Sequence, residues 1–218
     1  MALQRESMIR TALALLDETG LDGLTVRRLA ARLGVQNPAL YWHFKNKQDL
    51  LNGMAEVMLA DAFAGLALPE PGADWAAWLE ELAQRLRRAL LANRDGARVI
   101  AGADLTGSEL LVAFDRSVRV LTGAGFSPRA ALTNTVTIFD YTLGATFEEQ
   151  TEPPHPLDEA TQEPKMLRSV LDPARLPALC AALAQTAEDA AQIRSTGFEE
   201  GLHILLAGIR AVKMDELR

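Results

Sequence analysis

The chain of 218 residues lacks the features on which several protein classes depend. Its one cysteine, Cys180, excludes a disulfide within the chain, which suits a reducing cytoplasm. The three histidines lie far apart, and none stands in a metal-binding spacing such as HExxH. No segment approaches ~18 uncharged apolar residues, and the N-terminus has no apolar signal region. We therefore expect a cytoplasmic protein without a membrane span.

The sequence also lacks the short motifs of common enzymes. It has no GxSxG elbow, no P-loop and no glycine-rich dinucleotide fingerprint. Cys180 lies in an apolar helical segment, which favours a buried small side chain over a nucleophile. Asp140 and Glu148 could form a carboxylate pair, but such charges on a long helix usually face solvent. We expect no catalytic residue, no bound metal and no cofactor.

The charge is distributed unevenly along a chain that has ample apolar material. Apolar residues make up 49%, which is enough to build a buried core. The net charge is −7, yet residues 1–48 carry seven basic and four acidic side chains, whereas the remainder carries 15 basic and 25 acidic ones. A basic head on an acidic body is typical of DNA-binding proteins.

Apolar residues recur at helical spacing through almost the whole chain, and no alternating strand pattern competes. We therefore predict an all-α fold. Gly20 is expected to end the first helix, and segments rich in proline interrupt the pattern at 67–74 and 151–164. The predicted helices cover about 7–19, 25–33, 38–44, 47–63, 75–93, a short run from 95, 108–122, 128–150, 165–171 and 186–213.

The segment TVRRLAARLGVQNPALYWHF has the pattern of two helices joined by a sharp turn. Thr25 is a suitable N-cap, and Gly34 stands where the chain must turn. Asn37-Pro38 opens the second helix, with proline in the favoured first helical position. Two helices joined by a short glycine-containing turn form a DNA-reading motif whose second helix enters the major groove.

The side chains of this segment suit contact with DNA. Gln36 and Asn37 can pair with adenine edges, and Pro38 and Ala39 can contact a thymine methyl. Phosphate or base contacts are expected from the other basic and aromatic residues, Arg27, Arg28, Tyr41, Trp42, His43 and Lys47. On these residues alone two alternatives stay open. Tyr41 and Trp42 could be core aromatics, and the chain could be a helical protein-interaction module without DNA binding.

The stretch LDGLTVRRLAARLGVQNPALYWHFKNKQDLL resembles the DNA-binding head of the tetracycline-repressor family. The similarity extends through LQRESMIRTALALLDETG and, more thinly, through GFSPRAALTNTVTIFDYTLGATFEEQ and the last helix. It implies a homodimeric repressor on a palindromic double-stranded operator, released by a small-molecule inducer, with an efflux or resistance gene as the commonest target. It also implies a helix-turn-helix DNA-binding domain at 1–46, a connecting helix at 47–66, and a ligand-binding and dimerisation domain at 67–218.

The resemblance further implies a ligand site in the body, but the chain departs there from a tetracycline–magnesium site. Apolar residues replace most of the polar drug and metal ligands, and Asp104 replaces an arginine. We expect an inducer that is largely apolar and neutral or cationic, bound without metal. The expected lining is Phe63, Leu82, Leu86, Ile100, Ala103, Ser117, Phe139, Phe147 and Glu148. Alternatively, these side chains contact one another and leave no cavity.

Two long helices, at about 128–150 and 186–213, carry apolar residues on more than one face. On the first helix the apolar residues are Leu132, Val136, Phe139 and Leu143. On the second helix they are Phe198, Leu202, Leu205 and Ile209. Because a helix with a broad apolar surface must bury it, we expect both helices to form a four-helix interface about a two-fold axis.

Overall fold

The computed structural model describes residues 5–70, 72–106, 108–151, 171–186 and 190–216. This part of the chain is helical and contains no strand, which confirms the all-α prediction. None of its helices is long and apolar enough to cross a membrane. The helices are α1 (Arg5–Gly23), α2 (Val26–Leu33), α3 (Asn37–Tyr41), α4 (Lys47–Phe63), α5 (Trp75–Leu91), α6 (Gly96–Ala101), α7 (Glu109–Gly123), α8 (Pro128–Gln150), α9 (Pro177–Thr186) and α10 (Ala190–Glu216).

The chain divides into two compact units. The larger comprises Met1–Gln150 with Val212–Arg218, and the smaller comprises Thr151–Ala211. Within the larger unit, α4 contacts α1, α5, α6 and α7, while α8 contacts α5, α6 and α7. The functional division after residues 46 and 66 remains a prediction. The predicted loop at 151–164 and helix at 165–171 lie almost wholly outside the described residues.

Local capping explains the start and end of α2. The side chain of Thr25 accepts a hydrogen bond from the Arg28 amide at 3.2 Å, as an N-cap should. Gly34 ends the helix with a φ of 68°, in the left-handed region that favours glycine. Both predictions are confirmed. Leu29 and Ala30 are buried, so α2 is held to the head by one face only.

The second helix of the motif is shorter than the sequence predicts. It begins at Asn37, so Pro38 takes the second helical position rather than the first, and it ends at Tyr41 instead of reaching Phe44. The amides of His43 and Phe44 both donate to the Leu40 carbonyl at 2.9 Å, which closes a turn and stops the helix. This turn buries Leu40 and Phe44 together.

Gly20 ends the first helical segment of α1, as the sequence predicts, and a short helical turn follows it. Its φ of 67° and ψ of 171° interrupt the helix, which resumes for a short turn to Gly23. The kink presents the Leu21 amide to the side chain of Asp95, which accepts its hydrogen bond at 2.7 Å. The resumption therefore depends on a partner that is remote in the sequence.

A set of polar contacts, here termed the head–body joint, connects α1 to the turn between α5 and α6. Besides the Leu21–Asp95 bond, the Arg94 amide donates to Asp17 at 2.8 Å, and Arg98 pairs with Asp22 at 3.2 Å. Asp95 adopts a φ of 56°, which is uncommon for a residue other than glycine. The joint fixes the orientation of α1 relative to α6.

Gln150, the last residue of α8, clamps the ends of two other helices. Its side-chain amide donates to the carbonyls of Leu90 and Asn93, each at 2.8 Å. Its side-chain oxygen accepts a hydrogen bond from the Ala97 amide at 2.9 Å. The C-terminus of α8 is thereby held against the end of α5 and the start of α6.

Candidate DNA-binding surface and ligand site

One face of α3 is buried and the opposite face is open to solvent. Leu40 is the buried residue of this helix. The four residues predicted to read bases, Gln36, Asn37, Pro38 and Ala39, are all exposed. Since the helix is held by a single side chain, its remaining surface can approach a DNA groove without rearrangement.

The two aromatic residues at the end of this helix are also outside the core. Tyr41 is 56% exposed and Trp42 is 88% exposed. The alternative that they are core aromatics is therefore wrong. His43 is half-buried. The rings of Tyr41 and Trp42 are therefore available for contact with a partner, beside the residues predicted to read bases.

Basic side chains surround this exposed face, and they differ in whether they are already hydrogen-bonded within the protein. Arg27 and Lys45 are exposed and make no ion pair or side-chain hydrogen bond within the described residues. Arg28 donates to the Gly23 carbonyl at 2.9 Å, and Lys47 donates to a carbonyl of α1 at 3.1 Å. Both remain exposed, so their charges still face solvent. The motif analysis missed Lys45, although its charge beside the motif could have indicated it.

Arg32, in contrast, is neutralised inside the head. Its guanidinium makes two hydrogen bonds to Glu18, at 2.8 and 2.6 Å. This bonding lowers the pKa of Glu18 and raises the pKa of Arg32. Arg32 therefore joins α2 to α1, and its charge is already paired within the protein.

Four of the predicted ligand-binding residues lie in the core of the larger unit. Phe63, Leu82, Leu86 and Ile100 are at most 5% exposed. Ser117 is fully buried, and its hydroxyl accepts from the Trp78 indole at 3.1 Å and donates to the Ala113 carbonyl at 2.8 Å. The Ser117 hydroxyl thus already donates and accepts a hydrogen bond within the protein.

The remaining predicted ligand-binding residues lie closer to the surface of the single chain. Ala103 is half-buried, and Phe139 is half-buried against the edge of Phe114, with ring centroids 5.6 Å apart. Phe147 is 39% exposed, and Glu148 is also exposed. The buried stripe of α8 comprises Ala131, Thr135, Ile138, Thr142 and Thr146. Glu148 follows its last member by two residues, which turns it to the opposite side of the helix.

A polar cluster between α5 and α8 was missed by the sequence analysis. Arg87 pairs with Glu149 at 2.6 Å, although 62 residues separate them. Burial raises the pKa of the nearby Tyr141 hydroxyl, while the charge of Arg87 opposes that shift. The cluster joins α5 to α8 through paired polar groups. Its members belong to separate predicted helices, so no local pattern could have indicated it.

The described carboxylates do not converge on a metal site. Across the described ranges, no three His, Cys, Asp or Glu side chains lie close enough together to hold an ion. Asp104 and Asp140 are exposed. The side chain of Asp104 accepts hydrogen bonds from the Thr106 hydroxyl and amide, which lower the pKa of this carboxyl.

The single chain exposes large apolar side chains on its two longest helices. On α8, Leu132 is 50% exposed; on α10, Ile204 and Val212 are 72% and 61% exposed. The predicted face of the last helix was largely wrong, because Phe198, Leu202 and Ile209 are buried and Leu205 is half-buried. Cys180, predicted to be buried, is half-buried on α9, most of whose described side chains are exposed.

Comparison with known proteins gives concordant matches along the chain. The profile of bacterial regulatory proteins of the tetR family matches residues 8–54, and the tetracyclin repressor-like C-terminal domain matches residues 68–213. The class C tetracycline repressor protein of Escherichia coli is 41% identical over 212 residues, covering 97% of this chain and 93% of the relative.

Crystal structures give the same result. A possible TetR family transcriptional regulator from Streptomyces coelicolor A3(2) is 42% identical, with a TM-score of 0.81 over 96% of this chain and 100% of the other. A variant of TetR from Acinetobacter baumannii AYE, in complex with minocycline, is 34% identical, with a TM-score of 0.73 over 96% of this chain and 98% of the other.

Proposed function

This chain belongs to the tetracycline-repressor family, and on that premise we propose that it is a ligand-responsive, non-enzymatic repressor that binds a palindromic DNA operator as a homodimer. The observation that carries the proposal is the exposed face of α3, where the base-reading residues adjoin an 88% exposed Trp42. The protein would act in the cytoplasm, and an efflux or resistance gene is its proposed target.

The proposed DNA contacts divide into two kinds. Gln36, Asn37 and Ala39 face the bases and would set the sequence read. Arg27, Lys45 and the aromatic pair would contact the sugar-phosphate backbone and set the position of the helix in the groove. Two copies of α3, related by a two-fold axis, would read two half-sites in adjacent major grooves. Since phosphate contacts release counterions, affinity should fall steeply with salt.

Replacing Asn37 by alanine should relax recognition at one operator position. Loss of a bidentate contact to a base costs about 1–3 kcal/mol, which is roughly 5- to 150-fold in affinity. The measurement is a competition assay with operators carrying every single-base change, at fixed salt. The variant should discriminate less at the contacted base pair and keep its preferences elsewhere.

Lys45→Ala is the matched control for this experiment. It should weaken binding to all operator sequences alike and reduce the slope of log affinity against log salt by about one. A selection from random DNA that enriches no palindrome would overturn the proposed function. If Asn37→Ala left every base preference intact, base reading by α3 would be wrong.

We propose the exposed apolar residues of α8 and α10 as the dimer interface. Ile204, Gly208 and Val212 follow one another at four-residue intervals, which places them on one face of α10. A Cβ added at Gly208 would meet no atom within 4 Å in the single chain, so a partner helix can approach closely there. Leu132 and Phe147 supply corresponding apolar surface on α8.

The proposed inducer is a largely apolar organic molecule, neutral or cationic, bound in the body. Phe63, Leu82, Leu86 and Ile100 provide apolar contacts, and the Arg87–Glu149 pair adds polarity without net charge. Such a site derives affinity from apolar contact area, at roughly 25 cal/mol per Å² before entropic costs. Magnesium, in contrast, requires oxygen or imidazole ligands, which the buried Ile100 does not offer.

Tetracycline with magnesium should therefore fail to release this repressor from its operator. The measurement is a titration of the operator complex with micromolar tetracycline, with and without magnesium. A panel of neutral aromatics and hydrophobic cations is titrated in parallel, and at least one class should release the operator. Release by tetracycline that requires magnesium would contradict the proposed ligand class and leave the proposed DNA binding unaffected.

A further inference from the structure

A cleft separate from the predicted ligand site lies between the α4–α5 connection and the end of α7. Its volume is about 520 Å³, within the range of small-molecule sites. Leu68, Pro69, Trp75 and Val120 form its apolar walls. None of its lining residues belongs to the nine predicted for the inducer. Leu68 is 47% exposed, so it offers apolar surface to a ligand in the cleft.

The aromatic wall of this cleft is held rigidly from behind. Trp75 is 8% exposed, and its ring meets Phe126 edge-on, with centroids 5.1 Å apart and an interplanar angle of 79°. The Lys213 ammonium lies 4.8 Å from the centroid of the Phe126 ring and donates to the Ala124 carbonyl. The indole therefore presents a fixed surface to the cleft.

The described residues of the connecting segment, which form the other wall, are also held by hydrogen bonds. The Ala73 amide donates to the Glu70 carbonyl at 3.0 Å, and Asp74 caps α5 by accepting from the Ala76 amide at 3.0 Å. Arg116 donates to the Leu66 carbonyl at 2.6 Å, which ties the start of this segment to α7. A cleft whose walls are fixed loses little entropy when it binds a ligand.

The charge around the cleft is acidic. Glu70 and Asp74 are in the lining, and no ion pair to Glu70 is found within the described residues. The one lining guanidinium, Arg119, is matched by Asp115 at 2.9 Å. The Lys213 ammonium, which binds the Ala124 carbonyl, offsets the negative pole of the α7 helix dipole, so the excess negative charge of the cleft rests on Glu70 and Asp74. These groups favour a cation and disfavour an anion.

We propose that this cleft is a second small-molecule site, which binds a compact organic cation with an aromatic or otherwise flat apolar body. The apolar body lies against Trp75 and Leu68, and the cationic group faces Glu70 and Asp74. Gly72 and Gly123 leave the necessary room, because a Cβ added at either meets no atom within 4 Å. The site is independent of the operator-reading surface.

The test uses three probes that share one ring system: 1-naphthylmethylamine, 1-naphthylmethanol and 1-naphthoate. Calorimetry on the full chain gives their affinities, and the indole N–H signals of the three tryptophans locate the site. The amine should bind about tenfold more tightly than the alcohol, with the carboxylate weakest. The signal of Trp75 should shift, while that of Trp42 should not.

Variants then separate the shape of the cleft from its charge. Gly123→Leu should fill the cleft and abolish binding, whereas Gly123→Ala should retain it. Glu70→Gln should bring the amine close to the affinity of the alcohol. The proposal is overturned if no probe binds, if the carboxylate binds as well as the amine, or if Gly123→Leu has no effect. Gly123→Leu should still bind the operator, so this test and that of the proposed repressor function fail separately.

Discussion

Replacing Ile204 by glutamate should convert the dimer to monomers and lower operator affinity at least ~100-fold. Ile204 is 72% exposed in the single chain, and Val212 on the same face is 61% exposed. In the proposed interface a carboxylate at this position would be buried without a partner, which costs several kcal/mol per protomer. A monomer has one recognition helix, so it loses the effective concentration that the second half-site provides.

The measurement is sedimentation or light scattering together with an operator titration. Ile204→Leu serves as the matched control, because it keeps an apolar side chain of the same size and should remain dimeric. Circular dichroism establishes that both variants retain their helices. A glutamate variant that stays dimeric and binds its operator normally would place the interface elsewhere on the chain.

Gly96→Ala should destabilise the protein by about 2–4 kcal/mol. A Cβ at this position would overlap the Leu90 carbonyl oxygen and lie 3.1 Å from the end of Met58. The carbonyl belongs to the backbone of α5, so α6 must move away from it. That movement would also break the Gln150 clamp, since Leu90 is one of its acceptors. The midpoint of thermal unfolding should fall by about 5–15 °C.

Gly123→Ala is the control for this effect, because a Cβ there meets no atom within 4 Å. Its unfolding midpoint should be unchanged or slightly raised, as alanine favours the helix. Protein concentration is kept constant, since dimer dissociation makes the midpoint depend on it. Equal midpoints for Gly96→Ala and the wild type would mean that α6 can shift without loss of packing.

Features determined by neighbouring residues could be predicted from the sequence. The N-cap at Thr25 and the turn at Gly34 depend on bonds within a few residues, so the helix-turn-helix was placed correctly. The end of α3 was not, because two amides close on Leu40 when Phe44 enters the core. Whether Trp42 is exposed depends on which side chains pack in the core, so the sequence alone could not decide between a core and a surface position for Trp42.

Features that depend on distant partners could not be predicted. Gly20 ends the first helical segment as predicted, but the short turn from there to Gly23 was not predicted, and its Leu21 amide is bound by Asp95 across 74 residues. The apolar pattern of the last helix does not show which face is buried. The predicted interface face therefore included Leu205, which is half-buried, and missed Ile204, which is exposed. The Arg87–Glu149 pair could not be predicted either, because its two residues are far apart in the sequence.

The side-chain amide of Gln150 connects α8, which belongs to the proposed dimer interface, to the segment that carries the head–body joint. Its two N–H groups and its oxygen are all engaged, on α5 and on the start of α6. The same segment around Asp95 carries the head–body joint. In the proposed dimer, a rotation of α8 would therefore strain the contacts that orient α1. In the proposed dimer, the angle between the two chains and the spacing of the two recognition helices would therefore change together.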